Sequence, residues 1–196
     1  MEPQIQKQID SLSALLPKHV DSWKSAIQEA KKVVRALINF SEQISHIKKV
    51  ESKNIPDNLF ERKSSLEFNI LSNIEDELVS LKTHMDFLNN INHDLNNKIL
   101  ALERSTAQLD WDAESPLIKG SGNQPSLARF LELIFDFWRF FVMTMKNINS
   151  NYKTIDFRDE KSLQNLDQSL NIDLNNNTIT YLLAISQYIK NEHAIN

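Results

Sequence analysis

Residues 59–104 read LFERKSSLEFNILSNIEDELVSLKTHMDFLNNINHDLNNKILALER. Within them Leu66, Ile70, Ile74, Leu78, Leu81, Met85, Leu88, Ile91, Leu95, Ile99 and Leu102 recur at steps of three and four, with neither proline nor glycine in between. That period belongs to one face of an α-helix. A continuous helix over this span is roughly 65 Å long at ~1.5 Å per residue. Such a helix cannot be buried within a compact globule, so its stripe needs a long partner.

Upstream, residues 18–48 carry Val20, Trp23, Ile27, Ala30, Val34, Leu37, Ser41 and Ile44 at alternating steps of three and four, a heptad seam. Folding this segment back on residues 59–104 gives an antiparallel helical hairpin, the simplest way to hide both stripes. The connection falls at Lys48–Asn58, where Ile55-Pro56-Asp57 breaks the pattern because the residue before proline disfavours helical geometry. Residues 3–16, with Ile5, Ile9, Leu12 and Leu16, read as a separate short amphipathic helix stopped by Pro17. It would serve as a docking arm or as the first helix of the bundle.

Residues 106–125 hold both glycines, Gly120 and Gly122, together with Pro116 and Pro125, and read as a linker. The expected organisation is therefore 1–105 for the N-terminal helices and hairpin, 106–125 for the linker, and 126–196 for an aromatic-rich helical segment. A fourth helix is expected from Ser126, a good N-cap, to about Asn149. It contains Phe130, Leu131, Leu133, Ile134, Phe135, Phe137, Trp138, Phe140, Phe141, Val142, Met143 and Met145, apolar on every side for several turns. A helix of that kind has to be buried, either at the centre of a bundle within the chain or partly against another subunit. Short helices are expected at 160–170 and at 178–191, separated by an asparagine-rich turn. The fold class is all-α: an elongated antiparallel helical hairpin or coiled coil with a smaller C-terminal helical bundle.

Composition agrees. Only two glycines occur in 196 residues, and helices avoid glycine where sheets and tight turns use it. The absence of cysteine removes disulfides, thiolate metal sites and cysteine nucleophiles, and fits a reducing compartment, cytosol or nucleus. Neither a signal-peptide run nor a stretch of ~18 apolar residues occurs, so no membrane association is expected. The net charge of −4 is mild, yet Lys24, Lys31, Lys32, Arg35, Lys48, Lys49 and Lys53 make the first quarter basic. That bias reads as a solvated helix face or as a contact with RNA or an acidic partner.

Chemistry has little to work with. Neither glycine belongs to a phosphate-binding or dinucleotide loop. The five histidines, at 19, 46, 84, 93 and 193, show no spacing that presents two imidazoles on one helical face. His84 reads as a helix-surface residue, and Glu75 and Glu77 as solvated carboxylates. No catalytic, cofactor-binding or metal-binding residue and no small-molecule substrate are expected. The candidate partner-binding residues are Trp23, Ile27, Val34 and Leu37 on the heptad seam and Phe130, Phe137, Trp138 and Phe141 on the aromatic helix. Trp23 stands out among small and aliphatic neighbours: its indole either packs within the hairpin or anchors a partner.

Several segments resemble the AIRIM family of ribosome maturation factors. They are Ser22-Trp23-Lys24-Ser25-Ala26-Ile27, then Leu37-Ile38-Asn39-Phe40-Ser41-Glu42-Gln43-Ile44, then Ile55-Pro56-Asp57-Asn58-Leu59-Phe60-Glu61-Arg62-Lys63, then Gln124-Pro125-Ser126-Leu127-Ala128-Arg129-Phe130-Leu131-Glu132. The resemblance covers most of residues 12–190. It departs in the fourth helix, where the family is rich in tyrosine, lysine and arginine and this chain has Phe137-Trp138-Arg139-Phe140-Phe141-Val142-Met143. The resemblance implies a non-catalytic adapter of the nucleus and cytoplasm. Such an adapter pairs with a related small helical subunit of the cyclin-dependent-kinase-interacting type, docks on an AAA-type ATPase hexamer and meets the pre-ribosomal particle indirectly. The ATPase would do the chemistry, in large-subunit maturation and recycling of assembly factors, with replication-linked proteostasis as a further setting. Periodicity alone supports a generic coiled-coil tether or scaffold equally well, and an enzyme is the remaining, disfavoured class.

Overall fold

The computed structural model describes residues 1–49, 57–122 and 124–195 in backbone, with side chains over 1–49, 60–122 and 124–189. Among the described residues there is no strand, and six helices follow in order: α1 (Glu2–Lys49), α2 (Asp57–Thr106), α3 (Pro116–Lys119), α4 (Leu127–Tyr152), α5 (Glu160–Ser169) and α6 (Asn177–Ile195). The two long N-terminal helices pack against each other, as an all-α hairpin with a smaller helical bundle requires. The break expected at Ile55-Pro56 lies outside the described residues.

The first correction concerns Pro17. It does not stop a helix: α1 runs through it for 48 residues. The reason lies in the seam, which keeps its period across the proline: Ile5, Ile9, Leu12, Leu16, Val20, Trp23, Ile27, Ala30, Val34, Leu37, Ser41 and Ile44 are all buried. Proline deletes the backbone bond to the Ser13 carbonyl and crowds that turn, at a cost of ~3 kcal/mol. Burying a full apolar side chain returns ~1.5–3 kcal/mol each, so the row of seam contacts outweighs one lost turn.

On α2 the buried line runs through Ile70, Ile74, Leu81, Met85, Leu88, Asn92, Leu95, Ile99, Leu102 and Thr106. Three members of the expected stripe fall off it, Leu78 among them as only half-buried. Leu66 is half exposed, and Ile91 yields its place to Asn92, because four residues on from Leu88 is the position that faces α1.

Contacts sort the chain into two compact units, each made of non-consecutive segments. The first comprises Met1–Lys24, Asn89–Thr144 and Asp173–Asn196; the second comprises Ser25–Leu88 and Met145–Ile172. In the first unit, residues 106–125 are not featureless: Ser115 caps α3, accepting from the Ile118 amide, Pro116 opens it, and Leu117 and Ile118 are buried. Gly120 ends α3 at φ 89°, and a Cβ there would meet the Ser126 amide nitrogen at 2.8 Å, so this position needs glycine. The buried Gln124 of the same loop exchanges side-chain hydrogen bonds with Gln6 of α1 at 3.0 and 3.2 Å. In the second unit Leu163, Leu166 and Leu170 bury the inner face of α5, and Lys31 donates to Asn171 at 2.7 Å. The asparagine turn also has a structural task, since Asn176 Oδ1 accepts from the Ile179 amide and caps α6.

Replacing Pro17 with alanine restores a backbone donor on an intact seam. Chemical denaturation of the Pro17→Ala chain is expected to show stability raised by about 2 kcal/mol with helical content unchanged.

Candidate protein-docking surface

The candidate residues sort by burial. In the first unit Trp23, Phe130, Phe137 and Phe141 are fully buried; in the second Ile27, Val34 and Leu37 are buried as well. Trp138 alone is half-buried. Seven of the eight therefore have their apolar surface occupied by their own chain.

Trp23, Phe137 and Phe141 meet in one cluster. Phe141 lies at the centre, 4.9 Å from the Trp23 ring, 4.9 Å from Phe137 and 5.2 Å from Phe140. The fourth neighbour is His19, edge-on to Phe141 at 4.7 Å and tilted against Phe137 at 5.9 Å. Trp23 Nε1 donates to Asn92 Oδ1 at 3.0 Å, a buried bond that joins α1 to α2. An indole N–H buried in a helical seam needs an acceptor, and Asn92 supplies it. Neither His19 nor Asn92 stands out when the seams are traced by hydrophobicity. Counting does find them: 16, 19, 23 on α1 and 88, 92, 95 on α2 keep the steps of three and four.

Burial lowers the His19 pKa from 6.5 to about 4, because the charged imidazolium loses its hydration among the phenylalanines. Among the described residues its Nε2 has no hydrogen-bond partner. The imidazole is therefore neutral at pH 7 and acts as a flat aromatic body. The same helix pair forms a groove of about 360 Å³ beside it, floored by Leu15 and Ile91 and flanked by Lys18, Asp94 and Lys98.

The aromatic helix α4 is not buried all round, the second correction. Phe130, Leu133, Ile134, Phe137, Phe141, Met145 and Ile148 form the inner face. Leu131, Phe135, Trp138 and Val142 follow one another at steps of four, three and four along a flank and are only half-buried. Met143 is 59% exposed on the outer side, and on α6 of the same unit Tyr181 and Tyr188, one heptad apart, are 54% and 64% exposed. The acidic and basic side chains between them are paired: Arg129 with Glu132 at 2.6 Å and Arg139 with Asp136 at 3.7 Å. Aromatic, methionine and arginine side chains are the residue types enriched at protein interfaces. Among the described residues no cluster of histidine and carboxylate side chains has metal-site geometry, and no helix is long and apolar enough to cross a membrane.

The chain is all-α, a helical hairpin with a smaller helical bundle and a half-covered aromatic flank on α4. Residues 3–185 match the ribosome biogenesis protein C1orf109-like family, and the chain belongs to it. This is the AIRIM family that the sequence resembles. A comparison with curated individual proteins gave no match.

Two outcomes follow from the buried cluster. Trp23→Phe and Asn92→Leu, each of which strands one buried polar group, are expected to destabilise by about 2 kcal/mol apiece; the double variant should recover ~1 kcal/mol of their sum in urea unfolding. Because the His19 pKa is lower in the folded chain than in the unfolded one, its contribution is complete above pH 6.5 and is lost as the pH falls towards 4. Between pH 7 and pH 5 the loss should be about 2 kcal/mol, and the His19→Leu chain should lack it when the same titration is followed by thermal unfolding.

Proposed function

We propose that the chain is a non-catalytic adapter of an AAA-type ATPase complex in ribosome biogenesis, acting in large-subunit maturation, with the ATPase supplying the chemistry. Family membership supports the setting. The observation that carries the adapter reading is the flank Leu131, Phe135, Trp138 and Val142, a second heptad-spaced stripe on a helix whose inner face is already filled. A stripe of that spacing suits a further helix. The related small helical subunit of the cyclin-dependent-kinase-interacting type would lie along it, and the ATPase hexamer would hold the pair. In this reading the buried seam residues shape the module, and Trp138 is the one candidate that still reaches a partner.

The test is affinity purification of the tagged chain from its native cells, followed by mass spectrometry after a moderate-salt wash. The expected result is a stoichiometric AAA-type ATPase together with ribosome-assembly factors, with the helical subunit reduced at least ~10-fold by Trp138→Asp, a buried-charge penalty at an interface. Recovery of membrane or cytoskeletal proteins alone, or a stable homodimer free of ATPase, would identify a coiled-coil tether instead.

A further inference from the structure

The second unit contains a recess of about 500 Å³ where the last turns of α1 meet the connection between α4 and α5. His46, Lys48 and Lys49 line it from α1, and Phe157 and Arg158 from the connection; the carboxylates on its lining are Glu42 and Glu160. Among the described residues Lys48, Lys49 and Arg158 form no ion pair with either glutamate, although other cations of the chain are paired. The Arg158 guanidinium lies over the Phe157 ring at 5.3 Å.

Local stability explains only part of this charge. Cations in the last turn of α1 complement the negative end of its dipole, an effect of ~0.3–1 kcal/mol. Arg158 has no such reason to be there. It immediately precedes the N-cap Asp159 of α5, at the positive end of that dipole, and Lys161 follows in the first turn. Asp159 and Glu160 satisfy the preference of a helix start, whereas Arg158 and Lys161 oppose it. Residues 25–49 of α1 add five lysines and arginines against two glutamates, a net +3 within a chain of net −4. Within this set Lys32 is engaged by Glu29 and Lys31 by Asn171, Arg35 is not on the recess lining, and Lys48 and Lys49 are. Cations that have no ion pair among the described residues, brought together from two elements and one of them against its own helix dipole, fit an anion from outside the chain.

We propose that this recess binds the phosphate backbone of single-stranded RNA, with Lys48, Lys49 and Arg158 on the phosphates and a base stacked on the Phe157–Arg158 pair. Cations beside an aromatic or guanidinium plane are how single strands are held without sequence preference. The family's place in ribosome biogenesis makes RNA the polyanion at hand. The inference stands apart from the ATPase reading: it needs no partner protein.

The experiment is fluorescence anisotropy of a labelled oligouridine titrated with the full chain at several salt concentrations. Three phosphate contacts on a single strand predict a slope of log affinity against log salt of about −2. The Lys48→Glu/Lys49→Glu/Arg158→Glu chain should bind at least ~10-fold more weakly with a slope near zero. Phe157→Ala should weaken binding ~5-fold or more. Lys7→Glu/Lys82→Glu/Lys98→Glu carries the same charge change elsewhere and should bind within ~2-fold of the unaltered chain. Circular dichroism of each variant reports the retained fold. The proposal is overturned if the unaltered chain gives no saturable signal at low salt, or if the distant charge reversal weakens binding as much as the recess reversal.

Discussion

Two helices of 48 and 50 residues each carry an apolar line along one face, and neither can hide it alone. Isolated helices are marginal in water, and most of their stability in proteins comes from packing one face. The α1–α2 seam is therefore the constraint on which the other elements depend. A buried side-chain bond between the helices, Trp23 to Asn92, fixes register as well as energy. A slip by one heptad would leave an indole N–H and an amide oxygen buried without each other, at ~1–3 kcal/mol per group. A polar residue at a single seam position is a known device for specifying alignment in paired helices. Here the bulk of tryptophan adds to it, since Phe141 of α4 seats against the same ring.

From that seam follows what is left for partners. The rings that an interface would use, Phe130, Phe137, Phe141 and Trp23, close the first unit's own core. Outward or half-buried in that unit are Phe135, Trp138, Val142 and Met143 of α4 and Tyr181 and Tyr188 of α6, besides Met1 and Trp111. In the second unit Phe60, Leu66, Phe68, Val79 and Phe87 of α2 are exposed, and cations gather around Phe157 and Arg158.

Much of this was legible in the sequence. The long proline-free and glycine-free stripe of α2 dictates a continuous helix, and the heptad seam upstream supplies its partner. The Ser126 cap and the α5 leucines place the later elements to within a few residues. What was not legible has physical causes. Pro17 reads as a stop because local propensity penalises it, and only the seam running through it shows that tertiary packing wins. His19 and Asn92 do not show in a hydrophobic pattern because a polar residue counts as core only with its partner, and periodicity names no partner. The all-round apolarity of α4 misled in the opposite direction: it describes a filled inner face plus a half-open flank. The recess at the end of α1 draws on residues more than a hundred positions apart, which no local pattern connects.

The central claim is that α1 and α2 are zipped around the Trp23–Asn92 bond within the chain itself. The chain has three tryptophans, and Trp111 is 42% exposed, which provides an internal standard. Hydrogen exchange of the indole N–H groups, followed by NMR on the isolated chain, reads the claim directly. The account predicts that the Trp23 indole proton exchanges at least ~1,000-fold more slowly than that of Trp111, as a bond opened only by sub-global unfolding must. Equal exchange rates at the two sites would contradict it, and would mean that the seam closes only when a partner arrives.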